Sequence, residues 1–453
     1  MTRPTPTQAD EVPSRYLVVT AAQYQDRSGR RLAGVYHTAT ARLFLVDPLT
    51  AEVLAGAQRP TELAPETRAR LRHQGLLVAA DADETEVLRS LPDPESERTR
   101  QFVVMPTGYC NLSCDYCGQE HRRGPATLAT GRHRAALVAR VRHAAASGRY
   151  DRIRVRWFGG EPLLGYAVLR DLSLRFLAET ARHQVHYSAL LVTNGVLLDQ
   201  RKLRELHLRC RVEQIEVTLD GPAATHERGR PAKHGRGTYH RIIAALQQAV
   251  SDPDLTGLQV SVRTNVGTHN LTEAERFAAA MREAGLAHPR ITFYPAPVHP
   301  WGDDVPAQAV AARELAEVEL AWYRAYQAAG LTCALLPAAP RPTVCVAADR
   351  HSEVVAPDGR IYSCTEQPLV PGQADRHLAT VTDLPAEQLR PAGEYDDWAD
   401  TLPTDCRTCR LRPLCGGACP KLWRQGRPPC PPLKWNLDDR LDMYLRAQVG
   451  VAA

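Results

Sequence analysis

Residues 107–119 read TGYCNLSCDYCGQ and follow a short β-rich run, QFVVM (101–105). The C-x3-C-x2-C spacing puts three thiols, Cys110, Cys114 and Cys117, on one loop at the end of a strand. Two chemistries use thiolates in this way. Zinc takes them, but structural zinc sites close with a fourth protein ligand. An iron-sulfur cluster prefers four, so three leave one iron with an open position where a small ligand can bind. The rest of the chain decides what carries the loop. RIRVRWF (152–158), YSALLVT (187–193), QIEVTLD (214–220), LQVSVRT (258–264) and RITFYP (290–295) alternate with helical patterns such as HRAALVARVRHAAA and YHRIIAALQQAV. Six β/α units in series predict a parallel sheet of α/β class, an incomplete (β/α)6 TIM-like barrel over 101–320, with chemistry at the C-terminal strand ends.

Before the barrel, from Tyr16 to about Ser90, β-rich segments (RYLVVTAAQ, RLAGVYHT, ARLFLVDP) precede helical ones. This pattern predicts a small α+β unit of winged-helix character over 15–92. The polar PDPESERTR (92–100) reads as a linker. After the helical AVAARELAEVELAWYRAYQAAG, residues 340–435 are rich in Cys and Pro with little periodicity, a composition that needs metal to hold it together.

At 453 residues, two or three packed units are expected, and 44% hydrophobic with 24% charged residues is a globular composition. There is no run of eighteen apolar residues and no apolar h-region near the N-terminus, so neither a spanning helix nor a secretory signal is expected, and a cytoplasmic location follows as the default. The net charge of +5 comes from arginines mixed with acidic residues and only four lysines, which argues against a nucleic-acid partner. In a reducing compartment the twelve cysteines favour metal binding over disulfides.

With these features together, the chain resembles the radical S-adenosylmethionine (radical SAM) enzymes. In that family the open iron chelates the methionyl group of SAM, and reductive cleavage releases a 5′-deoxyadenosyl radical. Phe158-Gly159-Gly160-Glu161-Pro162 resembles the GGEP motif that receives the methionyl ammonium, through Gly160 and Glu161. Thr193-Asn194-Gly195 and Thr218-Leu219-Asp220-Gly221-Pro222 end the third and fourth strands. The resemblance implies SAM contacts from Thr218 and Arg230, and adenine neighbours in Tyr116 and Ile291. His226 falls in the same run and is either a substrate-side residue or a structural hydrogen-bonder.

The C-terminal cysteines resemble the SPASM domain of peptide maturases, with a zinc ribbon as the alternative for CRTC and CGGAC. The SPASM resemblance implies two auxiliary [4Fe–4S] clusters and three in all. Cys406, Cys409, Cys415 and Cys430 would hold the outer auxiliary cluster, and Cys345, Cys364 and Cys419 the inner one. For the missing eighth ligand, His351, Asp349, Cys333, solvent and a substrate group all stay open. Cys210 reads as a buried small apolar residue.

The implied function is maturation of a ribosomally made precursor peptide, bound through its leader by the N-terminal unit and crosslinked or oxidised, with an external donor such as flavodoxin or ferredoxin. Three alternatives stand beside it. Formylglycine formation of the anaerobic sulfatase-maturating kind uses an Asp directly after the second inner-cluster Cys; here Thr365 and Glu366 follow Cys364, a departure that weakens this alternative, with Glu366 as a candidate base. Peptide epimerisation needs a hydrogen-donor thiol, for which Cys333 and Cys210 are spare. A zinc-ribbon binding protein is the non-enzyme alternative.

Overall fold

The computed structural model describes residues 10–90, 98–121, 128, 130–235, 237–299 and 309–449; residues 92–97 of the expected linker lie outside them. Contacts divide the chain into two compact units: residues 1–93, 335–344 and 399–453 form one, and 94–334 with 345–398 the other. The segment 340–435 is thus shared between them.

In the first unit, β1 (Glu11–Pro13) pairs antiparallel with β5 (Leu77–Ala79), while β2 (Leu17–Gln25), β3 (Arg31–His37) and β4 (Arg42–Val46) form an antiparallel meander in the order β2-β3-β4. Period-two alternation gives the meander two apolar faces. On one, Leu17 and Val35 pack with Val53, Leu54 and Leu71 of the helices Pro48–Leu54 and Pro65–His73. On the other, Val18, Tyr24 and Tyr36 pack with Leu437, Leu441 and Leu445 of the helix Leu433–Val449 and with Leu411 and Leu414. That helix lies so close that a Cβ on Gly34 would meet Leu445 Cδ1 at 2.3 Å. Residues 15–90 hold β2 to β5 and the helices Pro48–Leu54, Pro65–His73 and Glu84–Ser90, and residues beyond 400 complete their core.

The second unit is built on β6 (Thr99–Val104), β7 (Arg152–Trp157), β8 (His186–Thr193), β9 (Val212–Thr218), β10 (Gln259–Val266) and β11 (Ile291–Pro297), all parallel and adjacent in sequence order. On β7, Ile153, Val155 and Trp157 are fully buried on the helix-covered face, where Trp157 stacks on Phe176 of the helix Tyr166–Arg182. Arg152, Arg154 and Arg156 alternate onto the opposite, half-exposed face. The cysteine-rich segment, read as nearly aperiodic, extends this sheet: β12 (Ser352–Val355) pairs parallel with β6, and β13 (Arg360–Tyr362) and β14 (Ala379–Thr380) continue antiparallel. These strands are too short to show a period, but Pro357-Asp358-Gly359, with Gly359 at φ +80°, is a turn signal between them.

A buried ion cluster fastens β12 in place. Glu353, fully buried, accepts hydrogen bonds from Arg100 on β6 and from Arg140 of the helix Gly131–Ala146, whose Nε lies 2.9 Å from Oε2. Burial pushes the Glu353 carboxyl up, but the two guanidinium groups outweigh it and hold it below the ordinary value. Its contribution to stability is therefore complete above the usual glutamate pKa of about 4.3 and is lost as pH falls through the lower folded value. Glu353→Gln leaves two buried cations short of a counter-charge, so chemical denaturation of the purified protein should show a loss of about 3–5 kcal/mol in the unit holding the barrel. No helix among the described residues is long and apolar enough to cross a membrane.

Candidate active site

The cysteine loop leaves β6 at its C-terminal end and is strung between two other segments. On one side the turn after β7 packs directly on its backbone: the Glu161 N–H donates to Tyr109 O at 2.9 Å, and a Cβ on Gly160 would lie 2.4 Å from that same oxygen. Gly159, at φ +119°, is equally confined, since a Cβ there would lie 2.8 Å from Thr107 O. Only glycine allows this approach. On the other side the stretch after the helix Ala223–Gly229 runs antiparallel to the loop: Ser113 N–H donates to Pro231 O, Asp115 N–H to Gly229 O, and Lys233 N–H to Asn111 O. Arg230 is delivered to the cysteines by this pairing.

Glu161 is fully buried, and its carboxylate accepts from Leu163 N–H (2.9 Å), the Thr193 hydroxyl (2.8 Å) and Asn194 N–H (2.8 Å). Burial raises its pKa despite these donors. The side chain thus ties the GGEP turn to the end of β8. From there Asn194 Nδ2 reaches Asn111 Oδ1 at 2.8 Å and Cys110 Sγ at 3.7 Å. The three thiols share one electrostatic environment, with Cys114 pushed up to about 12 by burial while Arg230 pulls the other way. Such thiols carry charge only when something cationic joins them.

Around Arg230 lies a second network. The Tyr116 hydroxyl bonds to Asp220 and to the Arg230 guanidinium and accepts from Asn265 Nδ2 at 2.9 Å. Arg230 also pairs with Asp220 at 3.6 Å. Asp220 takes the Asn265 N–H at 2.8 Å, and Asn270 Nδ2 donates to its carbonyl at 2.7 Å. His269 stacks on Tyr116 with centroids 5.9 Å apart. Arg230 Nε and both ring nitrogens of His269 are buried without a hydrogen-bond partner. These orphaned polar groups, near the cysteine loop, are suited to a polar ligand. Asn265, Asn270 and His269 were not singled out from sequence, and Asn194 and Asp220 stood there only within strand-end motifs, without a role. The available signal is an Asn or Asp closing a β-rich run, as in LLVTN, VTLD and VRTN.

The remaining candidates fall into place unevenly. Thr218 ends β9, half-buried and paired in register with Arg263. His226 is fully buried, its Nδ1 accepting the Asp220 N–H at 3.3 Å, and burial lowers its pKa to about 4. Its neutral ring supports Asp220 through Nδ1, while Nε2 is buried without a hydrogen-bond partner. Ile291 requires correction: it is the first residue of β11, fully buried, whereas Ala296 is the residue level with Asn265. Five residues of strand, roughly 16 Å, separate it from the cofactor end of the sheet. Cys333 follows Thr332, which bridges to Thr292 near the start of β11, and so lies toward the same far end.

His351 is also misplaced for a ligand. Nδ1 bonds the Tyr150 hydroxyl at 2.8 Å, Nε2 faces Arg149 Nη2 at 3.1 Å, and its carbonyl accepts from Gln101 at the base of β6. Cys364 packs with Ala347 and Tyr395 in the barrel unit, to which Cys345 also belongs. Cys419 belongs to the other unit. There Cys406, pushed up to about 12 first by burial, also feels Cys415, Cys430 and Cys409.

Residues 104–252 match the model of the Radical SAM superfamily. The chain carries a radical SAM domain. It is 24% identical over 389 residues to the serine-type anaerobic sulfatase-maturating enzyme of Klebsiella aerogenes, covering 78% of this chain and 84% of the relative. The Klebsiella pneumoniae enzyme of the same description is also 24% identical, with 78% and 86% covered. The solved structure of native anSMEcpe with bound AdoMet and Cp18Cys peptide superposes with a TM-score of 0.55 at 15% identity, covering 78% of this chain and 98% of that one, a likeness of fold. A radical SAM domain holds a [4Fe–4S] cluster and SAM. Cys110, Cys114 and Cys117 with the orphaned Arg230 Nε and His269 nitrogens fit that pair. Arg230 Nη1 alone meets Tyr116 and Asp220, which leaves the unpartnered Nε to a ligand, and lysine has no second nitrogen to offer there. Arg230→Lys should raise the SAM dissociation constant roughly 10–100-fold, measured anaerobically, with iron content unchanged.

Proposed function

We propose that this protein is a radical SAM maturase that takes a ribosomally made precursor peptide, removes one hydrogen from a chosen residue, and installs a crosslink (thioether, C–C or C–O) or an oxidation. The observation that carries the peptide substrate is the open edge of β4. Among the described residues β4 pairs only with β3, and a groove of about 440 Å³ runs between it and the helix Pro65–His73, lined by Phe44, Ala69, Arg70, His73 and Gln74. An extended leader adds there as a further strand through main-chain hydrogen bonds. The exposed Arg70 favours acidic side chains in it. Kinship with the sulfatase-maturating enzymes supports a peptide or protein substrate.

Bound SAM supplies the hydrogen-abstracting chemistry when an external flavodoxin- or ferredoxin-type donor delivers an electron. The chain's own part is to hold and orient. Arg230, Tyr116, Asp220 and Asn265 fix the cofactor, with Thr218 at the strand end, while Gly160 and Glu161 shape the loop. Two auxiliary clusters complete the reading: one on Cys406, Cys409, Cys415 and Cys430, and one to which Cys345 and Cys364 contribute.

Formylglycine formation is a second reading, favoured by Glu366. Its N–H donates to Cys364 Sγ at 3.4 Å, and after burial and Arg230 its carboxylate is among the groups acting on the Cys117 thiol, so a base stands beside the cysteine loop. One experiment separates the readings: anaerobic co-expression with each short open reading frame found on inspecting the neighbouring genes, followed by mass spectrometry. A peptide that loses two hydrogens and forms no hydrazone supports the crosslink, and a hydrazone-forming aldehyde supports the second reading. Ala69→Trp, which fills the groove, should abolish modification while SAM cleavage without peptide continues at the parent rate. An unmodified peptide with the parent protein overturns both.

A further inference from the structure

The barrel interior carries charged side chains that the cofactor site does not use. Arg154 and Arg156 on β7, Glu216 on β9, Arg263 on β10 and Tyr294 on β11 all alternate onto the inner face and are all partly accessible. Arg156 and Tyr294 stand four strands apart in the sheet, yet each of Glu216 and Tyr294 acts on the charge of Arg156. Only curvature of the sheet lets side chains that far apart in strand order meet across one interior. Arg154, Glu216, Tyr294 and Cys345 all act on the charge of Arg156 there.

The polar bonds there are unevenly distributed. Glu216 Oε2 accepts from the Tyr294 hydroxyl at 2.7 Å, and Arg263 Nε donates to Asn265 Oδ1 at 2.8 Å. Arg156 Nε is buried with no hydrogen-bond partner. Burial opposes the charge on both Arg156 and Arg263. At Arg263, Tyr294 and Glu216 more than offset it; at Arg156 they do not, and Arg154 adds repulsion. An under-compensated buried cation is costly unless an anion joins it.

We propose that the barrel interior binds a carboxylate of the substrate through Arg156, with Arg263 on the opposite wall, so that the peptide is selected for an acidic group close to the residue it presents. This rests on the peptide-maturase reading and names the chemistry its substrate must carry. The planar fork of Arg156 matches a carboxylate in two-point contact, and Glu216 beside it repels a misplaced acid. Holding the acid in the interior fixes the neighbouring carbon under the cofactor, which is how binding energy becomes orientation.

The carboxylate can be a side chain or a chain terminus, and three probes separate the two: Ac-Gly-Glu-Gly-NH2, Ac-Gly-Gln-Gly-NH2 and Ac-Gly-Gly-Gly-OH. Binding to the cluster-loaded, SAM-bound protein is followed by saturation-transfer NMR, without reduction, so that no turnover is involved. At least one acid probe should bind about tenfold or more tightly than the Gln probe. A preference for the Glu probe assigns a side chain, and a preference for the free acid assigns a terminus. Arg156→Gln should remove the preference, and Glu216→Gln, the variant to use if Arg156→Gln does not fold, should strengthen it. Equal binding of all three probes, or unchanged acid binding in Arg156→Gln, overturns the proposal. So does a loss of iron in Arg156→Gln with acid binding intact, which would make Arg156 a partner of Cys345 and its cluster. SAM cleavage by the parent protein is measured alongside, so failure of acid binding with normal cleavage sinks the carboxylate site and leaves the maturase reading standing.

Discussion

Replacing Cys114 by alanine should reduce 5′-deoxyadenosine formation from SAM to background, the largest effect expected of any single substitution. All three loop thiolates are needed if exactly one iron is to stay open for SAM, and Cys114 is the thiol on which Cys110, Cys117, Asp220 and Arg230 all act. The purified variant should lack the iron of one cluster and keep the thermal stability of the remainder, because the loop is also held by the backbone pairing from Ser113, Asp115 and Lys233. Product formation at the parent rate would remove the assignment of this loop as the radical-generating site.

Gly160→Ala should come close to that loss although no ligand is touched. The added Cβ would sit 2.4 Å from Tyr109 O and 2.7 Å from Tyr109 C, both backbone atoms, so relief has to come from moving the loop that begins with Cys110. A displacement of about 1 Å in a positioned group is enough for roughly a hundredfold loss of rate. The comparison with Gly148→Ala is diagnostic, since that glycine meets nothing within 4 Å and answers only for its φ of +66°. Gly148→Ala should lower stability with the rate per folded molecule unchanged, whereas Gly160→Ala should lower the rate itself. Equal SAM cleavage in the two variants would mean that the turn does not position the loop.

Much of this site was legible because its signals are local. Cys110, Cys114 and Cys117 fall within one loop, Gly159 to Pro162 within one turn, and each follows a strand whose period-two pattern is plain. Less visible were contacts whose partners are remote in sequence: Glu353 with Arg100 and Arg140, or Asp220 with Tyr116 and Asn265. No window of sequence shows which buried charge will find which partner. Ile291 failed for a different reason. Its apolar character was read correctly, but strand direction decides which end of a strand faces the cofactor, and the start of RITFYP lies at the wrong one. His351 stood at a plausible spacing from Cys345, yet imidazole has only two nitrogens, and Tyr150 and Arg149 occupy both.

The seating of the helix Leu433–Val449 on the N-terminal meander bears on the order in which the protein is made. Tyr24 and Asp442, hydrogen-bonded at 2.7 Å, are separated by 418 residues. At translation speeds of about 5–20 residues per second, the strand leaves the ribosome roughly 20–80 s before the helix does. Strands β6 to β11 are synthesised within that interval, so the barrel can close while the meander still shows Val18, Tyr24 and Tyr36 to solvent or to a chaperone. Soluble yield should therefore respond to synthesis rate and to chaperone supply, with the nascent meander, rather than the barrel, as the aggregation-prone species.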